Sequence, residues 1–306
     1  MKESNFLSAI VYVHNDQTTI VPFLTQLHTL LRDNFQKFEL ICVNDASTDG
    51  SVTAIRSFAE GVEGSMVSIL NMSYYQGLEA SMNAGVDLAI GDFVFEFDQA
   101  FMDYDPSLVM EVYRTSLTGY DIVSAAAQGG GRLSSRLFYK VFNRYAKTQY
   151  ALGTECFRIL SRRAINRVHA MSRTIPYRKA LYANCGLNLT TLHYQPTHTA
   201  ARRSASERPQ VAMDALILFT DVAHRLALWL SVAMMSVTLI ATIYTVFIYL
   251  SGSPVEGWTT TMLFLGFGFF GMFALLGLVL KYLSILLDLN FKRQKYVFES
   301  IEKISK

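Results

Sequence analysis

FELICVNDASTD, residues 38–49, passes from an apolar run, Leu40-Ile41-Cys42-Val43, directly into polar residues. An apolar run of this length that halts at carboxylates predicts a buried parallel strand. Ser47 or Asp49 supplies a cap for a following helix. In an open α/β sheet, ligands sit at the carboxyl ends of the strands, so Asp45 would border a ligand crevice. A strand end with turn residues and no ligand gives the same local pattern.

On either side of this stretch the same punctuation recurs. Residues 6–13 are apolar and stop at His14-Asn15-Asp16, and residues 93–97 stop at Asp98. Residues 66–70 form a short strand pattern ending at Asn71, and 121–127 another. Between them lie helical patterns. In 18–32, Ile20, Phe23, Leu24, Leu27, Leu30 and Leu31 fall at helical spacing. Residues 52–59, 77–90 and 106–115 read as further helices, the last with Pro106 near its first turn. Beyond them, 157–160 and 188–194 read as strands, and 162–169 and 177–185 as short helices. Alternating strands and helices with short connections predict an α/β fold, a mostly parallel sheet with helices on both faces. Polar or acidic residues at three strand ends, Asn15-Asp16, Asn44-Asp45 and Asp98, suit a cation or a polar ligand. Residues 128–149 begin with a glycine run and become basic and amphipathic, a loop over the site or a plain linker.

Composition separates this domain from the last third of the chain. The chain has 306 residues, 51% hydrophobic and 17% charged, with mean hydropathy +0.24, too apolar for an ordinary soluble enzyme. A net charge of +2 argues against nucleic acid as a partner. Cys42, Cys156 and Cys185 lack disulfide-framework or zinc spacing, which fits a reducing compartment. The start of the chain has too short an apolar run for a signal peptide.

The apolar excess lies after residue 225. Residues 226–250 and 259–280 carry no charge, and each exceeds the ~20 residues that span a bilayer. The loop between them, 251–258, has no Lys or Arg, whereas Arg202, Arg203, Arg208 and Arg225 precede the pair and Lys292, Arg293 and Lys295 come after it. By the positive-inside rule, both flanks and the large domain are cytoplasmic. The expected organisation is a cytoplasmic domain over 1–208, a juxtamembrane amphipathic helix over 209–224, two transmembrane helices within 225–285, and a cytoplasmic tail over 286–306. That places the protein in the inner (plasma) membrane as a multi-pass protein.

The motifs resemble those of family 2 glycosyltransferases of the GT-A fold, in the branch that makes polyprenyl-phosphate sugars. The family's P-x-Y-N-E corresponds to Tyr12-Val13-His14-Asn15-Asp16, and its V-D-D-G-S-T-D to residues 43–49. Asn71, Gly77, Ala80, Asn83, Gly85, Ala89, Gly91 and Asp92 follow its next pattern, and Phe157-Arg158-Ile159-Leu160-Ser161-Arg162-Arg163 resembles its F-R-L-L-x-R-R. Residues 281–301 resemble the family's tail. The resemblance implies an inverting transferase that moves a sugar from a UDP- or GDP-linked donor to a polyprenyl phosphate lipid. It implies donor contacts at Asp16, Asp45, Asn15 and Gly77, catalytic roles for Asp98 and Arg158, and an acceptor phosphate held by Arg202, Arg203 and Arg158. Mg²⁺ or Mn²⁺ would sit on Asp98 and Asp103, and a homo-oligomer is compatible with this reading. The departures are specific. Ala100 replaces the middle carboxylate of D-x-D-x-x-D, Asn44 replaces an Asp, and residues 124–127 hold no Arg. They leave open an alternative, a catalytically degenerate member acting as a binding subunit of a glycan-modifying membrane complex.

Overall fold

The computed structural model describes residues 2–62, 66–128, 140, 143–144, 153, 155–171, 177–196, 229–230, 233–234, 236–237, 240, 257–291 and 296–305. Eight strands form one sheet: β1 Glu3–Val13, β2 Phe35–Asn44, β3 Met66–Met72, β4 Phe93–Phe97, β5 Ile122–Ala127, β6 Glu155–Ser161, β7 Leu189–Tyr194 and β8 Phe298–Ser305. The helices are α1 Ile20–Asn34, α2 Ser51–Gly61, α3 Leu78–Leu88, α4 Ser107–Leu117, α5 Arg162–Met171, α6 Arg178–Asn184 and α7 Trp258–Phe291. The strand order is β7-β5-β6-β4-β1-β2-β3-β8. β4, β1, β2 and β3 run parallel, as does the β5–β7 pair, while β6 and β8 are antiparallel to their neighbours. The expected α/β architecture with a mostly parallel sheet is therefore present.

Register explains why the polar strand ends meet at one edge. Val13 lies beside Asn44, Asn44 beside Asn71, and Val11 beside Phe97. Each parallel strand thus runs out of apolar residues at nearly the same level. Below that edge, α1 buries Ile20, Phe23, Leu24, Leu27 and Leu31. The rings of Phe23, Phe97 and Phe157 meet at centroid distances of 5.3–5.4 Å, and Tyr104 lies 4.7 Å from Phe157. These aromatic contacts fix β4 and β6 against one another beneath the site.

On the other face, α3 packs directly on β1 and β2. A Cβ at Gly85 would stand 2.5 Å from Ile10 Cγ2 and 2.9 Å from Val43 Cγ2, so only glycine permits this approach. At the far end of the sheet, Glu39 Oε1 accepts hydrogen bonds from Ser8 Oγ and from the Ile90 amide, while the Gly91 amide donates to Ser8 Oγ. Arg162 donates to the Ala89 and Gly91 carbonyls. The motif residues Gly85, Ala89, Gly91 and Asp92 are therefore architectural.

The chain divides into two compact units, Met1–Ala212 with Arg293–Lys306, and Met213–Lys292. The range expected as a tail, 286–306, contains a strand that the sequence pattern does not announce. Residues 298–305 are the edge strand β8, paired antiparallel with β3, with Arg56 bonded to Glu302 at 2.7 Å and Asn71 to Glu302 at 2.8 Å. In the second unit, α7 covers the second uncharged run. Over the described residues, no helix is long and apolar enough to cross a membrane. Most of the first run, all of the segment 209–224 and the loop with Arg202 and Arg203 lie outside the described residues, as does most of 128–149.

Candidate active site at the strand ends

Two carboxylates end neighbouring parts of the parallel sheet, and each is built in differently. Asp45 follows β2 and is fully buried. Its Oδ2 accepts from the Tyr12 hydroxyl at 2.9 Å and the Gly77 amide at 2.8 Å, and its Oδ1 from the Gln76 amide at 2.7 Å. These bonds hold the turn that opens α3, where Gly77 has φ +88° and nothing lies within 4 Å of where a Cβ would be. Asp45 thus holds this turn rather than presenting an accessible carboxylate. Burial, and then the Asp45 charge, push the Tyr12 phenol well above its ordinary value, so it stays a donor.

The loops after β1 and β2 each hold one strained residue. Asn15 and Ala46 both have left-handed backbone, φ 57° and 51°. Asn tolerates that region; Ala does so at a cost of roughly 1–2 kcal/mol. The conformation persists because its neighbours fix it. The Asn15 amide donates to Ser47 Oγ, Asn15 Oδ1 accepts from the Thr48 amide at 2.8 Å, and Asn44 Oδ1 accepts from the Ser47 amide at 3.0 Å. Asn44 also donates to Asn71 Oδ1 at 2.9 Å, which a carboxylate there could not do. Asp16 Oδ2 accepts from the His14 amide at 3.0 Å. The His14 ring lies 4.5 Å from that of Tyr75, which is 39% exposed at this rim.

Asp98, at the end of β4, sits in a network of ions. Its Oδ2 accepts from Arg158 Nη2 at 2.8 Å and its Oδ1 from Arg178 Nη2 at 3.1 Å. Arg158 also donates to Glu96 Oε2 at 2.6 Å and to Glu155 at 3.2 Å. Arg178 donates to Glu79 at 3.1 Å, and its Nη1 lies 2.7 Å from Glu96 Oε2 without hydrogen-bond alignment. Tyr182 donates to Glu96 Oε1 at 2.8 Å. Both arginine side chains and that of Glu96 are inaccessible to solvent. Burial raises the Asp98 carboxyl, but the Arg158 and Arg178 charges outweigh this and hold it below its ordinary value. Against the opposing effect of burial, the carboxylates raise both guanidiniums. Asp98 and both arginines are therefore charged.

Strand register creates this network. Antiparallel pairing sets Arg158 of β6 directly opposite Glu96 of β4. Glu96 interrupts the apolar alternation of Phe93, Phe95 and Phe97, so it lies on the opposite face of β4 from the aromatic column. A charge inside a buried strand requires a partner. That is the signal in the sequence for Glu96, whereas Arg178, Glu79 and Tyr182 come from α3 and α6 and have none.

Of the expected site residues, Asp16, Asn15, Asp45 and Gly77 gather at one part of the edge, and Asp98 with Arg158 at another. Arg158 is inaccessible and all three of its nitrogens engage carboxylates, so here it positions Asp98 and faces no acceptor phosphate. Asp103 accepts from the Tyr194 hydroxyl at 2.7 Å and is 5% exposed. The expected metal ligands do not fit a divalent ion as they stand. Both Asp98 oxygens hold arginines, Asp103 holds a tyrosine, and the third position is the buried Ala100. Among the described residues, no group of three His, Cys, Asp or Glu is arranged to hold a metal.

Comparison with known proteins places this edge in context. A glycosyltransferase of Synechocystis is 27% identical over 60% of this chain and 59% of its own length, so the match spans less than two thirds of that relative. The undecaprenyl-phosphate 4-deoxy-4-formamido-L-arabinose transferase of Pseudomonas savastanoi is 23% identical over 98% of this chain and 92% of its own. Among solved structures, a Pyrobaculum calidifontis mannosyltransferase in complex with GDP-Man and Mn²⁺ superposes with TM-score 0.48 and 16% identity, covering 70% of this chain and 63% of that one. The family described as glycosyl transferase family 2 matches residues 8–169, over half of the chain. This chain belongs to glycosyl transferase family 2.

Proposed function

We propose that this chain transfers a sugar from a UDP- or GDP-linked donor to polyprenyl phosphate at the cytoplasmic face of the inner membrane. The observation that carries the reading is the union, in one chain, of a family 2 domain with two uncharged runs flanked by arginines and lysines. The relative named as an undecaprenyl-phosphate transferase supports it, because its alignment covers nearly the whole chain, both runs included. In this reading the two runs cross the bilayer as a hairpin.

The donor's nucleoside lies against Asn15, Asp16 and the Gln76-Gly77 turn that Asp45 holds, with the exposed Tyr75 ring offering a face for the base. Arg202 and Arg203 hold the acceptor phosphate, since a guanidinium can bond two of its oxygens at once. An acceptor oxygen attacks the anomeric carbon as the bond to the diphosphate breaks, releasing nucleoside diphosphate and inverting that centre. A phosphate monoester has a second pKa of about 6 and is already an anion near neutrality, so the attack requires no separate base.

The test is to incubate membranes containing the protein with UDP- and GDP-sugars and undecaprenyl phosphate, and to look for a lipid-linked sugar by mass spectrometry. A product that is lost in Arg203→Ala, with membrane association retained, supports the assignment. No product from any donor overturns it. That result favours the second reading, a non-catalytic binding subunit, which the ionic closure of Asp98 supports.

A further inference from the structure

The strand end that a divalent ion would occupy already holds two permanent cations. Glu96 of β4 and Asp98 just past its end are matched one for one by Arg158 and Arg178, and both guanidiniums bridge both acids. The remaining acids of the network, Glu79 and Glu155, reach in from its rim, with side chains 17% and 7% exposed. We propose that Arg158 and Arg178, by engaging both oxygens of Asp98, keep a divalent cation from the end of β4, so that a nucleoside diphosphate binds this protein without metal. The proposal rests on the donor reading above for its ligand.

The physical reason is competition for the same oxygens. A hard cation binds through several oxygen ligands. To bind Asp98 it must share an oxygen with a guanidinium of like charge, or displace Arg158 from Oδ2 or Arg178 from Oδ1. The displaced guanidinium would then remain buried, against Glu96, with its second partner lost. Breaking a buried ion pair by removing one partner is strongly unfavourable, because it leaves an uncompensated buried charge. The cation would find no second carboxylate in return, because position 100 is alanine and the Asp103 carboxylate is held by Tyr194. A protein that merely lost one metal ligand would leave Asp98 open; here both of its oxygens have been given to fixed charges.

Two measurements on the purified full-length protein in detergent test this. In the first, Mn²⁺ alone is titrated and followed by electron paramagnetic resonance. The expected result is no saturable site; one Mn²⁺ per chain at micromolar concentration, lost in Asp98→Asn, would overturn the proposal. In the second, UDP and GDP are titrated calorimetrically in EDTA and then in Mn²⁺. The nucleotide that binds should do so with affinities that agree within about threefold, and a loss of more than about tenfold in EDTA would refute the exclusion of metal. If neither nucleotide binds under either condition, the donor reading fails and the Mn²⁺ titration alone decides between guanidinium and metal. Arg178→Gln frees Asp98 Oδ1 and should create weak Mn²⁺ binding. Should that variant fail to fold, both wild-type titrations stand without it.

Discussion

The ends of β2 and β4 present the same feature, an aspartate just past a buried parallel strand, satisfied by opposite means. Asp45 is surrounded by two backbone amides and a phenol, all neutral, and is followed by the left-handed Ala46. Asp98 is surrounded by guanidiniums on β6 and α6. The first arrangement shapes a turn, because its donors are the backbone of that turn. The second closes a position, because its donors fill it. A carboxylate at a strand end therefore marks where a ligand could sit; its partners decide whether one can.

The largest effect that would break this contrast is expected at Arg178. Arg178→Ala leaves Glu96, Asp98 and Glu79 short of a buried cation and should cost about 3–5 kcal/mol in denaturant unfolding. A loss below about 1 kcal/mol would show that the network is hydrated and the closure illusory. Asp45→Ala should cost less, about 1–3 kcal/mol, because it strands neutral donors only. It should also weaken nucleotide binding through the Gln76-Gly77 turn; unchanged affinity in calorimetry would remove this turn from the donor site. The smallest expected effect has the opposite sign. Ala46→Gly relieves the left-handed strain at φ 51° and should stabilise the domain by up to about 1 kcal/mol, read as a higher denaturation midpoint. Destabilisation would mean that the Ala46 methyl has packing value that outweighs its backbone.

The β2 end is readable in the sequence, and the β4 end is closed to view. Strands β1 to β4 announce themselves because each apolar run stops abruptly at a polar residue, and register brings those stops to one level. The glycine at 85 and the residues of the Ser8–Glu39–Gly91 contacts hold helices and strands together, although Gly85 and Gly91 belong to a motif that suggests chemistry. Pairing at a distance is not legible. Arg158 and Asp98 are 60 residues apart, and Arg178 and Asp98 are 80 apart. Nothing in Tyr177-Arg178-Lys179 says that a short helix will place a guanidinium against β4. β8 escapes sequence reading for a different reason. As an edge strand it is half exposed, and Phe298-Glu299-Ser300-Ile301-Glu302 reads equally well as a charged tail. Its partners on β3 and α2 are what make it a strand.

That late strand bears on the order in which the protein is made. Asn71 and Glu302 are bonded across 231 residues, and the whole second compact unit lies between them in the chain. During synthesis β3 must wait, with one row of its backbone groups unpaired, until the apolar unit has left the ribosome and residues 298–305 arrive. An unpaired strand edge is a template for pairing with other chains. Closing so long a loop adds only slowly to the entropic cost, so the delay is the greater hazard. The last strand therefore serves the newborn chain as an edge guard, and a chain cut before residue 298 would present β3 to its neighbours.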